Sequence, residues 1–150
     1  MLFRSPSDHY DRKLVWFERL HDWLAEHHTT GDAVAVLGDY NVAPEDRDVW
    51  DITAFAGSTH VTEAERAAVQ RLCDWGLSDA FRIVHPDADG LYSYWDYRNG
   101  DFHKHRGMRI DLVLVSSVLA ERVEFAVTDR NARKGTQPSD HAPVIVDLRD

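Results

Sequence analysis

Three short strings hold the side chains that could do chemistry. Gly38-Asp39-Tyr40-Asn41 sets a carboxylate two residues from a neutral amide. Arg109-Ile110-Asp111-Leu112 places a second carboxylate inside an aliphatic run. Ser139-Asp140-His141-Ala142-Pro143 supplies a third carboxylate next to an imidazole. A carboxylate can bind a divalent cation or orient water, and an amide can hold a phosphate oxygen without repelling it. Asp39, Asn41, Asp111, Asp140 and His141 are therefore a set able to cut a phosphodiester bond with a divalent metal. Each string alone also has a plainer reading. Gly-Asp-x-Asn is a common Asx turn after a strand, and Asp111 could simply accept bonds from backbone or from Arg109.

The elements around these strings must position them. Residues 10–27 repeat Leu14, Phe17, Leu20 and Leu24 at three- and four-residue spacing, which predicts an amphipathic helix, with Asp8 as its N-cap. Ala33 to Leu37 is a continuous apolar run and reads as a buried central strand that delivers Asp39 at its carboxyl end. Residues 42–61 lack periodicity and read as a loop. Thr62 and Glu65 form a capping box for a helix through Cys73 that Gly76 closes. Ser78 is expected to cap a short turn before Pro86, and the aromatic stretch Tyr92–Tyr97 reads as a strand. From Arg109 to Val115, Ile110, Leu112 and Leu114 face one way while Asp111, Val113 and Val115 face the other. Two more strands are expected at 122–127 and 143–148. If the last of these pairs near 109–115, Asp111 would meet His141 and fix its tautomer. Interleaved strands and helices predict an α/β (α+β) chain with helices packed on a sheet.

The 150 residues carry a net charge of −9, which argues against non-specific coating of nucleic acid. The charge is uneven, however. Arg98, Lys104, Arg106 and Arg109 cluster before the second motif, and Arg130, Arg133 and Lys134 before the third. No apolar run approaches a membrane span, the first residues lack a signal-peptide core, and the single Cys73 suits a reducing compartment, so a cytoplasmic protein is expected. His21, His27 and His28 lack the spacing of a zinc site and read as a solvated helix end.

Taken in order, the three strings resemble the exonuclease III class of the endonuclease/exonuclease/phosphatase superfamily. Trp75-Gly-Leu-Ser-Asp-Ala-Phe-Arg82 and Tyr92-Ser-Tyr-Trp-Asp-Tyr-Arg98 extend the likeness, which runs from about Tyr10 to Leu148. The resemblance implies half of a two-sheet α/β-sandwich, with one mixed or antiparallel sheet flanked by helices. It implies Mg2+ or Mn2+ as cofactor and double-stranded DNA with abasic or 3′-end lesions as partner. Asp39 would handle the attacking water, Asn41 would hold phosphate, Asp111 would orient His141, and His141 would stabilise the charge on the scissile phosphate. Asp140 would lie beside the metal or the water, so that Asp39, Asn41, Asp140 and His141 would surround the metal. Tyr94 and Trp95 would line a pocket for a flipped sugar, one of them being core, and Arg98, Lys104, Arg106 and Arg109 would meet DNA.

One departure matters. The family's first half, with an early Asn, the principal metal-binding Glu and a catalytic Tyr, has no counterpart here, and Tyr10 does not replace that Tyr. The chain is read as a single domain that forms the C-terminal portion of such an enzyme. Two expectations follow: weak Mg2+ binding, and an exposed sheet face, lined by Val113 and Val115 or by Ile110, Leu112 and Leu114, that invites a homodimer or the missing half. A partner-dependent or inactive half, and a phosphatase acting on another phosphoester, are the alternatives.

Overall fold

The computed structural model describes residues 6–150. In chain order it contains α1 (Pro6–His27), β1 (Ala35–Asp39), α2 (Glu63–Trp75), β2 (Leu77–Asp79), α3 (Ala80–Val84), β3 (Asp111–Ser116), α4 (Ser117–Ala120), β4 (Val123–Thr128) and β5 (Val144–Leu148). The three-stranded sheet has the order β1-β3-β2, and β4 and β5 form a separate pair. Every pairing is antiparallel. The α+β class expected from the sequence holds.

α1 buries Phe17 and Leu24 against β1 and α2, along the expected stripe. Trp16 and Trp23 lie on its exposed side. The described helix runs from Pro6, so Asp8 sits in its first turn instead of capping it. A carboxylate there still complements the helix dipole. α2 begins as expected: Thr62 accepts from Glu65 N, and the Glu65 carboxylate reaches back to Thr62 N. Gly76, at φ 130°, closes it. A side chain at that position would also collide with Thr30.

Three expectations are corrected. The apolar run at 33–37 is not a central strand. The strand is shifted two residues towards Asp39 and lies at the sheet edge, because β3 is the strand paired on both sides. Asp79, not Ser78, caps α3, its carboxylate accepting from Phe81 N at 3.0 Å. Tyr92–Tyr97 is not a strand: Tyr94 makes only isolated bridges, to Met108 and to His141.

β3 shows the predicted two faces. Leu112 and Leu114 enter the main core beside Phe17, Tyr40 and Leu72. Val115, on the other face, is covered by Ala80 and Leu119 with β4 and β5 behind them. The exposed sheet face is therefore narrower than expected. Ile110, Leu112, Leu114 and Val115 are all buried, and the open strip is Leu37, 67% exposed, beside half-buried Val113, its partner in register.

Candidate active site

The register of β1 on β3 sets Asp39 directly opposite Asp111. Like charges facing each other across two strands repel. His141 stands between them. Its Nδ1–H donates to Asp111 Oδ2 at 2.8 Å, and its Nε2 lies 3.9 Å from Asp39 Oδ2. The second distance is too long for a hydrogen bond and leaves room for a bridging oxygen. Because a carboxylate only accepts, Asp111 fixes Nδ1 as the protonated nitrogen and turns Nε2 towards Asp39.

Asp39 is also tied to Asn41. Its Oδ1 accepts from Asn41 N at 2.8 Å and its Oδ2 from Asn41 Nδ2 at 2.9 Å. The first of these hydrogen bonds closes an Asx turn, in which Asn41 sits at φ 52°, a region Asn tolerates better than most residues. The Asn41 amide thus orients Asp39, and its side-chain oxygen is left for a ligand. The Asn41 backbone carbonyl accepts from Lys13 Nζ at 3.0 Å and from His60 Nδ1 at 2.8 Å.

His141 does not reach Asp111 by pairing of the strands that carry them. β5 pairs with β4, and the loop before it is hung on the 92–95 segment: Trp95 N donates to Asp140 O at 3.0 Å and Ala142 N to Ser93 O at 2.7 Å. Ser93 is the hub. It is fully buried, and its hydroxyl accepts from Ile110 N and Asp111 N at 3.2 and 3.1 Å. In the sequence Ser93 is marked only as one small hydroxyl in an otherwise aromatic string. The Tyr94 ring packs on His141, 5.1 Å between centroids. Burial, then Asp96 and Asp140, raise the Tyr94 pKa, so its hydroxyl stays protonated.

Arg133 holds the same loop from behind. It is buried among Phe102, Trp95 and Tyr97, with its guanidinium 4.5 Å from the Phe102 ring, and its Nε donates to the Ser139 carbonyl. Gly107 admits the packing. A Cβ there would fall 2.6 Å from Trp95 Nε1 and 2.7 Å from the Tyr94 carbonyl.

Two residues expected to meet DNA are excluded by burial. Trp95 is fully buried and belongs to the core, leaving Tyr94 as the member of that pair that faces the site. Arg109 is 1% exposed and donates to Asp48 through Nε and Nη2, at 2.7 and 3.1 Å, and to Asp79 through Nη1 at 2.7 Å. Burial works against its charge, but Asp79 and Asp48 outweigh that and raise its pKa. Arg98, Lys104 and Arg106 are exposed. Arg98 is chelated by Asp96, whose carboxyl it holds down to about 2, and Arg106 lies over the Trp50 ring at 4.8 Å.

Among the described residues, no group of three or more His, Cys, Asp or Glu side chains is arranged to hold a metal ion. The donors that fit a hard cation are oxygens of Asp39 and Asn41, with Asp140 on the neighbouring loop; Asp111 is spent on His141. This is a partial set that phosphate and water would have to complete.

The endonuclease/exonuclease/phosphatase family description matches residues 2–141. Exodeoxyribonuclease III of Haemophilus influenzae is 34% identical over 97% of the chain and 57% of that protein. An AP endonuclease from Archaeoglobus fulgidus superposes with a TM-score of 0.86 at 32% identity, over 93% of this chain and 54% of the other. A 3′ phosphatase from Neisseria, solved with a product DNA hairpin, superposes at 0.85 with 34% identity, over 96% and 55%. The chain spans about half the length of the relatives it matches. It belongs to the endonuclease/exonuclease/phosphatase family.

Proposed function

We propose that this chain carries the C-terminal catalytic half of an exodeoxyribonuclease III-like, metal-dependent DNA phosphodiesterase that incises abasic sites and removes 3′ nucleotides. The observation that carries this reading is His141 set between Asp39 and Asp111, with Nδ1 bonded at 2.8 Å and Nε2 held 3.9 Å from Asp39. A phosphate oxygen placed at Nε2 would have Asp39 beside it. Asp39, oriented by Asn41, would take the proton of an attacking water. His141, held by Asp111, would stabilise the charge that builds on the phosphate. Mg2+ or Mn2+ bound at Asp39 and Asn41, with Asp140 near, would supply Lewis-acid neutralisation of that charge. Tyr94, Arg98, Lys104 and Arg106 are the exposed or half-exposed groups that would meet double-stranded DNA bearing an abasic or 3′-end lesion.

A second reading is favoured by two observations: Leu37, 67% exposed one residue before the motif glycine, and the lack of a complete metal cluster among the described residues. In this reading the chain works only when that strip is covered by another half or by a second copy. The test is Mg2+-dependent cleavage of a duplex with one abasic site, with chelator and Asp39→Asn controls. Cleavage abolished in both controls supports the first reading. A folded, inactive chain supports the second.

A further inference from the structure

Ser93 takes no part in the mechanism above, yet it ties down both ends of the Asp111–His141 hydrogen bond. It is fully buried. Its hydroxyl accepts from Ile110 N at 3.2 Å and from Asp111 N at 3.1 Å. Two neighbouring N–H groups of a regular strand point to opposite sides, so both meet one oxygen only where the backbone turns out of the pleat. The turn is visible in the pairing. Tyr40 N donates to Ile110 O at 2.9 Å, and the Ile110 N–H that returns such a bond in an antiparallel ladder goes to Ser93 Oγ instead. β3 begins at the next residue, Asp111.

The main chain of Ser93 holds the other end. Its carbonyl accepts from the N–H of Ala142, the residue after His141, at 2.7 Å, and its own N–H donates to Met108 O at 2.9 Å. One buried residue therefore fixes Asp111 through its side chain and the His141 loop through its backbone. The 2.8 Å bond from His141 Nδ1 to Asp111 Oδ2 closes the circuit. The two anchors are chemically separable. Removing the hydroxyl strips Ile110 N and Asp111 N of their acceptor and leaves the backbone link to Ala142 in place.

We infer that Ser93 is a positioning residue: its hydroxyl gathers the Ile110 and Asp111 N–H groups and so sets the Asp111 carboxylate where it fixes the tautomer of His141. It acts through Asp111, not on the substrate. The inference rests on the nuclease reading above, in which His141 meets the scissile phosphate. A hydroxyl is the required group, because a buried N–H left without an acceptor is costly and the backbone shifts to find another. A Ser93 that served folding alone would, when replaced, give a less stable chain with an unaltered imidazole.

The test compares the full chain with Ser93→Ala, Ser93→Cys and Ser93→Thr. Cys is close to Ser in size but a weak acceptor, and Thr keeps the hydroxyl. The ring nitrogens of His141 are read by two-bond proton–nitrogen correlation at about pH 8, where an ordinary imidazole is neutral. In parallel, kcat and KM are measured with Mg2+ on a duplex carrying one abasic site. The expected result is a single Nδ1–H form in wild type and Ser93→Thr, and a mixture of tautomers in Ser93→Ala and Ser93→Cys. In those two, kcat should fall about tenfold or more with KM within about twofold, the pattern of a displaced catalytic group. Unmoved ring nitrogens or an unchanged kcat in the folded Ala and Cys variants overturn the inference. So does a folded Ser93→Thr chain as impaired as Ser93→Ala, which assigns the effect to packing. Absence of cleavage by the wild-type chain counts against its acting alone as a nuclease, and the ring nitrogens then decide the inference.

Discussion

Asp111 accepts the Nδ1–H of His141 at 2.8 Å although the strands nearest them do not pair. Asp111 opens β3, while His141 precedes β5, which among the described residues pairs with β4 alone. The contact is made by hanging the 139–142 loop on Ser93, Tyr94 and Trp95, and by Arg133 bonding the Ser139 carbonyl. The imidazole is thus oriented by a loop-to-loop scaffold anchored on buried Ser93, Trp95 and Arg133.

Asp111→Asn should release the tautomer. Asn offers both a donor and an acceptor, so Nδ1 protonation is no longer enforced. Nitrogen NMR of His141 should show a single Nδ1–H form in wild type and a mixture in the variant. If the chain cleaves DNA, the rate should fall by about a hundredfold or more, the range for loss of positioned acid–base or electrostatic catalysis. An unchanged tautomer would show that the pairing is not what orients the ring.

Glu65 predicts acid sensitivity. Burial works against its charge, but bonds from Lys13, Thr59, His60 N and Thr62 more than offset this and hold its carboxyl at about 2, below the ordinary 4.5. A depressed folded pKa adds stability that is fully present above the unfolded value and lost as pH falls towards the folded one. The window is therefore pH 4.5 down to 2. The difference corresponds to roughly 3 kcal/mol. Urea unfolding across that window should show stability falling with pH in wild type, with a shallower fall in Glu65→Gln.

Asp48 holds two arginines in the core. It is 1% exposed and bonds Arg109 and Arg82. Asp48→Ala strands buried positive charge, so it should cost about 3–5 kcal/mol. Chemical denaturation should show this as a lower midpoint with the slope retained. Because Arg109 N also donates to the Asp48 carbonyl, the substitution tests the side chain and spares that backbone link.

Leu37 separates folding from assembly. At 67% exposure its replacement by Lys should change the stability of the isolated chain by no more than about 0.5 kcal/mol. Light scattering should show concentration-dependent association of the wild-type chain and little in Leu37→Lys. A wild-type chain that stays monomeric at high concentration would remove the case for a dimer through this strip.

Local order alone determined much of this protein. The stripe Phe17–Leu24 made a helix because apolar residues recur at its period, and Thr62 and Glu65 began α2 because their side chains satisfy its first free N–H groups. The two faces of β3 followed from strict alternation. The three motif strings named the candidate site for the same reason: each is contiguous, and its chemistry is carried by residue type. The tertiary structure decided what depends on distant partners. Arg109 reads as a surface cation until Asp48 and Asp79 are seen to enclose it. Trp95 and Tyr94 are indistinguishable in sequence, and only the approach of Gly107 to Trp95 and of His141 to Tyr94 assigns one to the core and the other to the site. Ser93, Lys13 and His60 were invisible because their roles are hydrogen bonds to backbone groups distant in the chain, and Arg133 because its partner is a loop carbonyl; backbone donors and acceptors carry no sequence signature.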